Sequence, residues 1–240
     1  MSQGQANPSF PLSTSGKTIG MLVDEYGLCD EGSYFIATNP APGTAIATTT
    51  SVVDDATGAT THAQQKPVLL IQNQNTVASG MNIQLRYLKM FITQVPTSAT
   101  GWRYAMRLDP LSTKLTTAGT IITPQNPNGN STTLSRAYIN FGAITTTDST
   151  ASPQQRLVAN GMVAQAIPVA NDEWFFNFGA TFASIDSSVT SANVKRCSFP
   201  VPPIIIPPGW FFTLEMWGAS NAAAPSWEFE LGYSERPQGQ

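Results

Sequence analysis

From residue 67 onward the chain alternates apolar and polar positions with a period of two, the pattern of strands half-buried in a sheet. Val68-Leu69-Leu70-Ile71 is a continuous apolar run short enough for a fully buried strand. Across residues 81–93, Ile83, Leu85 and Tyr87 share one face, and the phase then shifts to Leu88, Met90 and Ile92. That shift predicts a β-bulge near Tyr87 and Leu88. Trp102, Tyr104, Met106 and Leu108 alternate with Arg103, Ala105 and Arg107. Further strands are expected at 33–37, 116–123, 132–144, 157–167 and 174–182, separated by Pro-, Gly- and Asn-rich turns. Late in the chain, Trp210, Phe212, Leu214 and Met216 mark one apolar face, and Trp227, Phe229, Leu231 and Tyr233 mark another. A loop of about eight residues separates them, so the two segments are expected to be adjacent antiparallel strands.

No segment of ten or more residues carries a helical period. The expected fold is therefore all-β: a two-sheet antiparallel sandwich, jelly-roll-like, formed by residues 21–240 as a single domain. Residues 1–20, rich in Gln, Ser, Pro and Gly, read as an extended N-terminal arm. An immunoglobulin-like sandwich is the alternative, but the Cys–Trp–Cys pattern is absent.

Composition narrows the class further. Only 11% of the 240 residues are charged, against about a quarter in ordinary domains. Neutral polar residues fill the gap, with 28 Thr, 21 Ser, 14 Asn and 14 Gln. Low net charge with ordinary hydrophobicity excludes a disordered chain, and no apolar run approaches the ~20 residues of a membrane helix. Met1 is followed by Ser2-Gln3-Gly4-Gln5, so no secretory leader is expected. Cys29 and Cys197 are far apart and outside any CxxC pair, which reads as two reduced thiols in a cytoplasmic setting.

Charge is unevenly placed. Residues 1–65 carry net −5, residues 66–136 net +6, and the remainder net −4. Arg86, Lys89, Arg103 and Arg107 alternate with core positions and are expected on one outer face, docking an acidic segment of another subunit. The overall charge of −3 and pI near 5.1 argue against nucleic-acid binding as the main task.

Catalytic chemistry is sparse. The single histidine, His62, has no motif-level nucleophile beside it, and neither a phosphate-binding loop nor a GxSxG elbow occurs. Glu215, Glu228 and Glu230 all point away from the apolar faces of their strands, with Trp217 nearby. They suit a sugar-binding or hydrolytic groove, a solvated face, or an acidic patch against a partner. The acidic pairs Asp24-Glu25, Asp30-Glu31 and Asp54-Asp55 fall in loop-like sequence without EF-hand spacing. No catalytic residue, cofactor or metal site is expected. Phe175, Phe211 and Trp217 fall opposite the core set on their strands, where a simple sandwich is polar, and so are expected to be contact aromatics, covered by a second copy or by the arm.

Particular segments resemble tailed-bacteriophage virion proteins. These are Leu69-Leu70-Ile71-Gln72-Asn73, the turn from Ile167-Pro168-Val169 to Asp172-Glu173, and the run from Pro202 through Ile204-Ile205-Ile206 to Trp210. The closing Pro225-Ser226-Trp227-Glu228-Phe229-Glu230-Leu231-Gly232-Tyr233-Ser234-Glu235-Arg236 is the most distinctive. The resemblance covers about residues 67–236 and implies a β-sandwich head-decoration or cement protein, a non-enzymatic homo-oligomer of the virion assembled in the host cytoplasm. Its expected partners are itself and the major capsid protein, with no membrane. A carbohydrate- or receptor-binding fibre component and a jelly-roll capsid subunit are the alternatives.

Overall fold

A computed structural model describes residues 24–48, 66–95, 100–110, 115–146, 156–164, 168–180, 185–186, 196–219 and 225–237. The arm 1–20, His62 and Asp54-Asp55 lie outside the described residues. Two large sheets pack face to face. The first contains β1 (Tyr34–Thr38), β2 (Ile46–Ala47), β4 (Met81–Gln94), β11 (Glu173–Phe178), β12 (Ile185–Asp186), β13 (Arg196–Val201), β14 (Ile205–Ile206) and β16 (Ser226–Pro237). The second contains β3 (Leu69–Asn73), β5 (Thr100–Asp109), β7 (Thr120–Ile122), β8 (Ala137–Phe141), β10 (Arg156–Ala164) and β15 (Phe211–Ala219). A small pair, β6 (Leu115–Thr117) with β9 (Thr145–Thr146), completes the strands. Among the described residues a short α-helix, α1 (Asp24–Asp30), holds both Asp24-Glu25 and Asp30, so that acidic stretch is helical rather than loop-like.

Eight strands form the frame. In the first sheet the order β1-β16-β4-β11 and in the second β3-β15-β5-β10 is that of a jelly roll, in which successive strands cross between sheets as two Greek keys. β7 and β8 extend the second sheet beyond β3, and β13 extends the first by pairing parallel to β11. The outer edge of β1 is closed by the chain itself. Ile36 N–H donates to the Gln125 carbonyl at 2.9 Å and Gln125 N–H returns a bond to Ile36 at 2.8 Å, which removes an open pairing template.

The expected hairpin between residues 210–217 and 227–233 is not formed. β15 pairs with β3 and β5, whereas β16 pairs with β1 and β4 on the opposite sheet. Their alternation nevertheless points the expected residues inward. Phe212, Leu214 and Met216 face Trp227, Phe229, Leu231 and Tyr233 in one core. At its centre Trp174 and Trp227 rings lie 4.9 Å apart, with Trp102 6.1 Å from each, while Phe141 stacks on Phe229 at 4.2 Å. Removing one such ring costs about 3–5 kcal/mol through lost burial and the cavity left behind.

The bulge in β4 falls one residue from its expected place. Gly232 pairs with Tyr87 and Tyr233 with Leu85, leaving Arg86 as the extra residue. The bulge puts Ile83 and Leu85 in phase with Leu88, Met90 and Ile92 in the core, and turns Tyr87 outward.

Candidate functional site

In a sandwich the outer faces of the two sheets look in opposite directions. Arg86 and Lys89 belong to β4 in the first sheet, while Arg103 and Arg107 belong to β5 in the second. The four cations therefore do not share one docking face. Parity shows which way a side chain points from its own sheet, but not which sheet its strand joins. The same reason separates Glu228 and Glu230 on β16 from Glu215 and Trp217 on β15, so no three-acid groove forms beside Trp217.

On the first sheet the outward groups largely serve one another. Lys89 lies across from Phe175 on one side and Glu230 on the other. Tyr87 O–H donates to Glu230 Oε1 at 2.6 Å, and the half-buried Phe175 ring stacks on Tyr87 at 5.7 Å. Gly232 makes this possible, because a Cβ there would strike the Tyr87 ring and come 2.6 Å from the Tyr34 hydroxyl. Burial first, and then the hydrogen bond to Glu230, push the Tyr87 phenol well above its ordinary range. A shallow groove of about 260 Å³ opens beside this cluster, lined by Lys89, Phe91, Glu228 and Glu230 with the chain turn at Thr38, Asn39 and Pro42.

On the second sheet the two arginines of β5 have different fates. Arg107 Nε donates to Glu215 Oε2 at 3.0 Å, and both side chains are nearly buried. Phe211 is also buried, packed with Leu70 and Ile144 and against Leu115. Its apolar cover comes from this chain, supplied by the strand pair and loop around residues 115–146, so it is not an open contact aromatic. Arg103 is exposed and makes no ion pair among the described residues. Its cross-strand neighbours are Trp217 on β15 and Met162 on β10. These three side chains form a row, and with Asn160, Gly161 and Tyr104 they line a groove of about 280 Å³.

A polar network at one end of the sandwich had no signal in the periodicity. The buried Glu235 carboxylate accepts hydrogen bonds from Ser135 Oγ at 2.5 Å, Arg136 N–H at 2.9 Å and Asn75 Nδ2 at 3.2 Å. Asn75 also donates to Asn73 Oδ1 at 3.0 Å, while Asn73 Nδ2 donates to the carbonyls of Met81 and Ile206 at 2.9 and 2.8 Å. The network joins the two sheets and satisfies a buried charge, so it is a structural anchor. Gly209, at φ 78°, makes the adjoining turn, and its N–H donates to the Asn73 carbonyl at 2.9 Å.

Both cysteines are half-buried and outside any disulfide. Among the described residues no cluster of three or more His, Cys, Asp or Glu is placed to hold a metal, and no helix is long and apolar enough to cross a membrane. No protein-family model, curated protein or solved structure matches the chain.

Proposed function

We propose that this chain is a non-enzymatic structural protein of a virion, a cement or decoration component that binds the major capsid protein and its own copies and stabilises the shell. The jelly-roll strand order supports this reading best, since viral capsid proteins are a principal use of that architecture. Fold alone does not assign function, and two further features agree with a role in packing between subunits. The two edges of the framework differ: β1 is closed by Gln125, whereas β10, the outermost described strand of the second sheet, displays Leu157, 50% exposed. The C-terminal segments that resemble phage virion proteins build the centre of both sheets.

The test is reassembly. Purified protein added to capsid shells that lack it is expected to co-sediment with them and raise the temperature at which they break open. Leu157→Glu on the exposed strand is expected to weaken that binding. Failure of the wild-type protein to bind or stabilise shells overturns the cement role.

The complete eight-strand order also favours a second reading, in which the chain is itself the shell subunit. Closed shells formed by the purified chain alone, seen by electron microscopy, select this reading over the first.

A further inference from the structure

We infer that the groove over Arg103 on the outer face of the second sheet binds a pyranose carrying a carboxylate, the chemistry shared by uronic and sialic acids. The inference does not depend on the capsid-binding reading. The half-buried Trp217 indole and the Met162 side chain form two walls, one on each side of Arg103 in the cross-strand row. An indole wall suits the apolar C–H face of a sugar ring, while a planar guanidinium matches a carboxylate with two parallel N–H donors. Asn160, on the same strand and face as Met162, adds an amide that both donates and accepts toward ring hydroxyls.

Gly161 lets β10 lie close over its inward-facing partner Tyr104. A Cβ at this position would lie 2.7 Å from the Tyr104 ring and 3.0 Å from its hydroxyl. Gly161 and Tyr104, which lie between the outward residues of their strands, line the groove beneath Arg103, Asn160 and Met162. At about 280 Å³ the groove is slightly smaller than the roughly 300–1,000 Å³ of drug-sized pockets, which suits one sugar ring rather than a long chain.

Charge selects the class of sugar. The lining contains Arg103 and no carboxylate. Arg107, on the same strand face, is held by Glu215 at 3.0 Å, whereas Arg103 is exposed without an ion pair among the described residues. The groove on the opposite sheet has the reverse balance, with Glu228 and Glu230 against Lys89, and repels the same ligand.

Titration calorimetry and saturation-transfer NMR on the full chain at low salt test this with four probes: a galacturonic acid trimer, sialyllactose, a neutral galactose trimer and triglutamate. One or both acidic sugars are expected to bind, and which one does distinguishes the two sources of the carboxylated ring. The neutral trimer is expected to bind about ten-fold more weakly, the loss of one charge-assisted pair. Triglutamate, which has carboxylates but no ring for the indole, is expected not to bind. Arg103→Ala is expected to weaken acidic-sugar binding about ten-fold and Trp217→Ala to abolish it, whereas Glu228→Gln on the far sheet leaves it unchanged. Arg103 is exposed, so its variant keeps the fold even if the Trp217 variant does not. The proposal is overturned if neither acidic sugar binds at millimolar concentration, or if the neutral trimer or triglutamate binds as tightly. It is equally overturned if Arg103→Ala binds like the wild type.

Discussion

The outer faces of the two sheets carry similar residue types and use them differently. On the first sheet, Tyr87, Glu230, Phe175 and Gly232 form a cluster in which each group covers or bonds another. On the second, two arginines of one strand diverge: Arg107 is fixed to a buried carboxylate, and Arg103 stands exposed between Trp217 and Met162. An outward charge or ring is therefore not in itself a docking group. What distinguishes the two uses is whether the chain already supplies a partner.

The largest test of that contrast is Glu215→Ala. It removes the carboxylate that accepts from Arg107 Nε in a nearly dry site, and loss of up to about 3–5 kcal/mol is expected, the range for broken buried pairs. Denaturant unfolding measures it; a loss no greater than that of an exposed substitution would falsify the assignment of Arg107 as an internal anchor.

Gly232→Ala comes next. The added methyl meets the Tyr87 ring and the Tyr34 hydroxyl, and overpacking of this kind costs about 1–3 kcal/mol. Paired with Tyr87→Ala, which removes the nearer of the two obstacles, it is expected to cost less than alone in a double-mutant cycle. Simple additivity breaks the cradle argument.

A smaller effect, about 1 kcal/mol, is expected for Glu230→Gln, which weakens a charge-assisted bond at a half-buried site. This variant also has a pH signature. Burial raises the phenols of Tyr34, Tyr87, Tyr104 and Tyr233 above the ordinary 10.0. The folded protein therefore keeps protons that the unfolded chain releases. Stability from these groups is fully present below about pH 10 and falls as pH rises above it. Absorbance near 295 nm is expected to show delayed phenol ionisation until unfolding, and Glu230→Gln should bring Tyr87 part of the way down. Because burial is the larger cause, a full return to the ordinary value contradicts this account.

The smallest effect belongs to Arg103→Ala. Being exposed, it is expected to change stability by less than about 0.5 kcal/mol, while weakening the sugar binding inferred above. The pair Arg107→Ala and Arg103→Ala thus separates anchor from binding group on a single strand: the first is read in stability, the second in ligand affinity.

The sequence by itself determined the fold class, the strand faces and most of the core. Period-two alternation marks which side chains of a strand are apolar, and Trp102, Phe212, Leu214, Trp227 and Phe229 all face inward as that rule requires. The phase shift in β4 was legible for the same reason, and it located the bulge to within one residue of Arg86. Only the tertiary structure decided which strands pair. β15 and β16 are neighbours in sequence, yet they lie in opposite sheets because the jelly roll carries the chain across the core between them. That crossing placed Arg103 and Lys89 on opposite faces, separated Trp217 from Glu228, and covered Phe211 with Ile144. The hydrogen bonds that satisfy Glu235 were equally invisible, since their donors come from Asn75, Ser135 and Arg136, about 100 residues or more away in sequence. Alternation is a local property of one strand, whereas the partner of a strand's edge or outer face is set by contacts between distant segments.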